Sequence, residues 1–109
     1  TTEIYTLSLH DALPISSRCE GFGLPVLEAM AVGCPVAIAT EAAALVEVAG
    51  GAAHTYDAGD SDATAHMLDS MLDDAGSRHR LASAGQSRTG DFGWERCAAE
   101  TAALYALLA

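Results

Sequence analysis

Two carboxylates bracket a glycine loop at EGFGLPVLE, residues 20 to 28, where Glu20 and Glu28 stand with seven residues between them. Gly21 and Gly23 let the backbone approach a ligand closely. Their N–H groups lead into a helix expected to start near Leu24, and a helix N-terminus offers unpaired donors and partial positive charge, which suits a diphosphate. That supplies anion affinity in a chain that has no lysine. Glu28 lies about one turn inside the helix, and the backward tilt of its Cα–Cβ bond lets its carboxylate reach past the loop. A carboxylate has only acceptors, so it pairs well with vicinal hydroxyls such as those of a ribose. Glu20, before the loop, can accept from sugar hydroxyls or stabilise charge at an anomeric carbon whose transition state is oxocarbenium-like. The spacing therefore fits a nucleotide-diphosphate-sugar, with the ribose at one Glu, the phosphates at the amides and the hexose at the other. A glycine-rich turn before a helix is by itself more often structural, so the reading depends on the surrounding pattern.

The elements that must hold this loop can be read from residue 17 onward. Leu24 to Val32 has Pro25 near its first position, Gly33 just after its end and Pro35 beyond, which predicts a short helix with clear stops. Pro35 to Ala39 is an apolar run consistent with a buried parallel strand. Residues 42–49 read as a short helical piece ending at Gly50-Gly51, and Ala52 to Tyr56 as a second strand. After the turn Asp57 to Asp60, with Asp60 as N-cap, residues 61–73 carry Met67, Leu68, Met71 and Leu72 at helical spacing. Gly76 is expected to break that helix, with a restart from Ser77 to about Arg88 that turns Leu81 and Ala84 inward. A last helix from Trp94 aligns Trp94, Cys97, Thr101, Leu104, Tyr105 and Leu108 on one stripe, with Trp94 and the Met67/Met71 pair expected in the core. Strand alternating with helix predicts an α/β fold, a partial Rossmann-like parallel sheet with a helical C-terminal tail.

Composition narrows the function classes. The 109 residues suffice for one small domain, and the formal charge is −10 from 15 acids against five arginines. Such a field repels phosphate backbones and anionic membranes, so nucleic acid is not an expected partner. Cys19, Cys34 and Cys97 have no CxxC spacing and read as reduced core or near-core thiols of a cytoplasmic protein. His54, His66 and His79 lack ligand spacing and read as surface or packing residues. Glu41, Glu47, Asp60, Asp62, Asp73 and Asp74 read as solvated or capping acids. Arg96 is one helical turn from Glu100 and can pair with it weakly.

Residues 1–15, TTEIYTLSLHDALPI, resemble the translation of a common short-read sequencing adapter, whose codons give the segment residue for residue. The resemblance implies an adapter-derived, non-native segment and excludes its His10 and Asp11 from any catalytic role. Without its Glu3 and Asp11, 13 acids face the five arginines, a net of −8. By coincidence Asp11 to Ile15 has the apolar pattern of a strand, so a strand is expected there without functional meaning.

From Glu20-Gly-Phe-Gly-Leu-Pro-Val-Leu-Glu28-Ala-Met-Ala through Gly33-Cys-Pro-Val36, the chain resembles the E-x7-E region of retaining GT-B glycosyltransferases of the glycosyltransferase family 4 type. Leu45-Val-Glu47-Val48, Tyr56 to Asp60 and Phe92-Gly-Trp94-Glu95-Arg96 match later pieces, so the resemblance covers essentially residues 17–109. It departs at Val46, where Pro is common, and at Gly51, where Asp is common. The resemblance implies that Glu20 contacts the donor hexose near the reacting centre as the catalytic residue and that Glu28 binds the ribose. Gly21 belongs to the same donor-binding loop, and the amides of Phe22, Gly23 and Leu24 bind sugar and diphosphate. It implies a nucleotide-diphosphate-sugar donor, an unidentified acceptor (a sugar, a lipid-linked sugar or a small molecule), and no cofactor or required metal. Residues 16–91 are then the remnant of the nucleotide-sugar-binding domain, and residues 92–109 a helix that crosses back to an N-terminal domain missing here. The family's phosphate-binding Arg and Lys pair lies upstream of this chain, and Arg18 is outside the positions used for that task. The chain alone is expected to be inactive, and the parent enzyme is compatible with membrane association. The alternative is a non-catalytic sugar-nucleotide-binding or interaction module. With about two genuine strands, an open sheet edge and an unpaired terminal helix, the isolated chain is expected to be marginally stable and to associate.

Overall fold

A computed structural model describes residues 12–17 and 21–109. Three strands, β1 (Leu13–Ile15), β2 (Val36–Ala39) and β3 (His54–Tyr56), form a parallel sheet in the order β1-β2-β3. Leu13 stands opposite Val36, and Ala37 opposite His54. Between the strands run α1 (Leu24–Ala31) and α2 (Ala43–Ala49), and after them come α3 (Ser61–Asp73), α4 (Ala75–Thr89) and α5 (Trp94–Leu108). This is the expected α/β class with a partial parallel sheet. The strand expected at the edge of the adapter-like segment also forms: the Leu13 N–H donates to the Pro35 carbonyl at 2.9 Å.

Every residue of β2 is buried, because helices cover both faces of the strand and no position faces water. Val36 and Ile38 join Val26, Met30 and Leu45 in one apolar cluster against α1 and α2. Ala37 points the other way, into a smaller cluster with Tyr56, Met67 and Met71. Tyr56 is further held by its hydroxyl, 2.8 Å from the Ser16 Oγ. The helix ends follow local chemistry. Gly33 takes a left-handed φ of 77° after α1, and Gly50 does so after α2. The Asp60 carboxylate caps α3 by accepting from the N–H groups of Asp62 and Ala63, a contact worth about 1 kcal/mol.

Four expectations are corrected. The break between α3 and α4 falls at Asp74 and not at Gly76, because the Asp74 side chain accepts from the Ser77 N–H and caps α4, leaving Gly76 in the first turn. On α4 Leu81 packs against the smaller cluster as expected, but Ala84 is exposed and the buried residue is Gly85. A Cβ at Gly85 would sit 2.9 Å from the Met30 Cγ, so this side of α4 meets α1 where no side chain fits between them. Leu68 and Leu72 are more exposed than the buried Met67 and Met71, since α3 packs through one narrow stripe. Trp94, expected in the core, is 88% exposed, and α5 has no buried residue. Its stripe is not covered by the rest of the described chain, so Cys97 is exposed as well, whereas Cys34 is buried as expected. Cys19 lies outside the described residues.

Candidate functional site

The loop before α1 is built around Gly23. This residue is the N-cap of α1 with φ 93°, a left-handed conformation that glycine adopts freely. Its carbonyl accepts from the Val26 N–H at 3.0 Å and closes the first turn. A Cβ there would lie 2.3 Å from the Leu45 Cδ2, so α2 presses directly beneath the loop. No side chain caps α1, its first turn has no acidic residue, and Pro25 occupies an early position where its missing N–H costs nothing. The partial positive charge of this helix end is thus left uncompensated by the helix's own side chains.

Gly21 and Phe22 are exposed, and so is Leu24, which starts the helix. Glu28 is on the exposed side of α1, while Val26, Ala29 and Met30 face inward. Among the described residues its carboxylate has no hydrogen-bond or ion-pair partner, which leaves all its acceptor capacity for a ligand. Glu20 lies outside the described residues together with Arg18. The structure therefore brings Gly21, Phe22, Gly23 and Leu24 to the N-terminal end of α1, with Glu28 about one turn further along its exposed side.

Two residues at this site carried no assigned role in the sequence reading. Phe92 meets Phe22 edge to face, with ring centroids 6.1 Å apart and planes at 85°. Arg88 stacks over Phe92 at 4.9 Å. Its Nε donates to the Val48 carbonyl at 2.9 Å and its second guanidinium nitrogen to the Glu47 carbonyl at 3.0 Å, while its first pairs with Asp91 at 3.0 Å. Phe92 was visible as the first residue of a family-like run, but nothing in the spacing tied it to Phe22, 70 positions earlier. Gly21, Phe22, Arg88 and Phe92 line a small hollow of about 260 Å³. Beside it, Phe22, Leu24, Leu27, Phe92 and Trp94 line a larger open groove of about 800 Å³ that continues onto α5.

The histidines gather no metal site: among the described residues there is no cluster of three His, Cys, Asp or Glu side chains suited to an ion. Arg96 and Glu100 form the expected pair at 3.0 Å, fully in solvent, and this bond together with the Glu100 charge raises the Arg96 pKa above its ordinary value. No described helix is long and apolar enough to cross a membrane.

Comparison with known proteins gives a consistent picture. A family model described as "Glycosyl transferases group 1" matches residues 2–88. The O-antigen chain mannosyltransferase B of Escherichia coli is 42% identical over 90 residues, covering 82% of this chain and 23% of that protein. The MMP alpha-(1->4)-mannosyltransferase of Mycolicibacterium hassiacum is 39% identical over 95 residues, and the D-inositol 3-phosphate glycosyltransferase of Xylanimonas cellulosilytica 35% over 100, each again along 23% of its length. The chain thus spans about a quarter of the curated relatives it matches.

Proposed function

Because this chain belongs to the glycosyl transferases group 1 family, we propose that it is the donor-binding part of a retaining GT-B glycosyltransferase of the family 4 type. The observation that carries the proposal is the N-terminus of α1: a left-handed glycine, no side-chain cap and, one turn on, a Glu28 with no partner among the described residues. The donor diphosphate lies against the amides of Phe22, Gly23 and Leu24, where helix and backbone donors compensate its charge. Glu28 accepts from the two ribose hydroxyls. Glu20, just before the loop in sequence, has the role of stabilising the positive charge that builds at the anomeric carbon of the hexose as the glycosidic bond to the diphosphate lengthens. No metal is needed, since the amides take the role of a cation at the leaving group. Two of the relatives are named for mannosyl transfer, which supports a hexose as the transferred group.

Residues 16–91 form the remnant of the nucleotide-sugar domain, whose Arg and Lys pair for the phosphates lies upstream, and residues 92–109 cross to an N-terminal domain that holds the acceptor. The exposure of α5 and the groove beside it support this. The family match runs across residues 2–15, and β1 fills a strand position there; we retain the reading of that stretch as adapter-derived. The chain by itself binds donor without turnover, and the parent works in the cytoplasm.

The test is steady-state kinetics of the full-length enzyme. Glu28→Ala raises the donor KM about 10- to 100-fold, the loss of hydrogen bonds to a charged acceptor, with kcat nearly unchanged. Glu20→Ala lowers kcat about 100-fold or more, as removal of a transition-state electrostatic contact does. Wild-type kinetics in both variants would refute the assignment. Donor binding without turnover in the full-length wild-type protein would establish a non-catalytic module instead.

A further inference from the structure

We infer that Arg88 and Phe92 are positioning residues that order the Gly21–Gly23 loop from two sides. The inference gains its functional meaning from the donor-site reading above, and its structural content stands on separate contacts. On one side, the Arg88 guanidinium grips the end of α2 through the carbonyls of Glu47 and Val48. Those carbonyls are among the unpaired acceptors at the C-terminal end of a short helix, where a cation is favoured twice, by hydrogen bonding and by the helix dipole. Leu45, on the same helix, is the residue that lies directly under Gly23. Fixing α2 therefore fixes the floor of the loop.

On the other side, the same guanidinium lies over the Phe92 ring, and the Phe92 ring meets Phe22 in a T-shaped contact. Phe22 is the middle residue of the loop and is half exposed, so little else restrains it. One cation thus reaches both flanks of a segment that contains two glycines and would otherwise have wide conformational freedom. Arg88 is placed by its surroundings in turn: its side chain passes Gly50, where a Cβ would approach the Nε to 2.6 Å, and its charge is paired with Asp91. With those hydrogen bonds made, the guanidinium works through the loop and is not itself a phosphate ligand.

The test uses backbone amide relaxation of the full chain, followed by titration with inorganic diphosphate. In wild type the Gly21, Phe22 and Gly23 amides have order parameters near 0.85, the rigid-backbone value; Arg88→Met and Phe92→Leu lower them below about 0.6. Diphosphate affinity then falls about 5- to 10-fold. Phe92→Tyr keeps the ring contact and restores both readouts. Arg78→Met serves as the control, since Arg78 similarly holds the Met71 carbonyl at the end of α3 and makes none of the contacts that reach the loop; it lowers the melting temperature and leaves loop order and affinity unchanged. Should Arg88→Met fail to fold, the Phe92→Leu and Phe92→Tyr pair decides alone. Unchanged loop order in the folded variants overturns the inference. A loop that loosens in the variants, in a chain whose wild type binds no diphosphate, upholds the positioning role and overturns the donor-site reading.

Discussion

Replacing Gly23 by alanine will destabilise the chain by about 2–5 kcal/mol, in two separable parts. The first is backbone strain: at φ 93° an L side chain is disfavoured by about 1–2 kcal/mol. The second is overpacking, because the new methyl would stand 2.3 Å from the Leu45 Cδ2, and Leu45 is buried with little room to turn; such crowding costs about 1–3 kcal/mol. Urea unfolding followed by circular dichroism measures the sum. Gly51→Ala isolates the strain, since Gly51 has φ 87° and open space around its missing Cβ, so that change should cost only about 1–2 kcal/mol. In a Leu45→Ala background the extra cost of Gly23→Ala should shrink toward the same value. If Gly23→Ala costs no more than Gly51→Ala, the close approach of α2 to the loop is refuted.

Met30→Ala should cost about 2–5 kcal/mol, because Met30 is 1% exposed, lies in the larger core cluster and would leave a cavity between α1 and α4. The same site predicts a change of sign. In wild type, Gly85→Ala drives a methyl to 2.9 Å from the Met30 Cγ and 3.2 Å from its Cβ, which offsets the roughly 1 kcal/mol that alanine gains over glycine in a helix interior. Once Met30 is alanine the nearer of those atoms is gone, and Gly85→Ala becomes stabilising. A double-mutant cycle by urea unfolding reads this coupling directly. Strict additivity of the two changes would show that α1 and α4 do not meet here.

Much of this architecture was legible because its signals are local. Pro25, Gly33 and Pro35 bound α1 and β2, Asp60 caps α3, and Gly50 ends α2, each through one residue's own backbone or capping chemistry. The glycine turn that leads into α1 at Leu24 was legible for the same reason, as its residues are adjacent in sequence. What failed depended on distant partners. The Gly85 side of α4 is set by Met30, 55 positions away, and an apolar count favours Ala84 over a glycine with no side chain to count. Trp94 was placed in the core because hydrophobicity says that a surface will be covered, not which chain covers it. Arg88 escaped notice because its hydrogen bonds go to main-chain carbonyls, which no sequence pattern announces.

The isolation of α5 also affects how this molecule will melt. Its 15 residues bury nothing, so its helicity rests on local propensity and the exposed Arg96–Glu100 pair, near the length at which an isolated helix is only marginal in water. It should therefore lose structure gradually on warming, ahead of the cooperative loss of the sheet and its helices. The chain's single tryptophan, Trp94, sits on that helix. Its fluorescence will follow the fraying appendage while the far-ultraviolet dichroism also follows the core, and the two curves will not superimpose. For this chain, disagreement between spectroscopic probes would mark a folded body with a semi-autonomous arm and not an intermediate on its folding route.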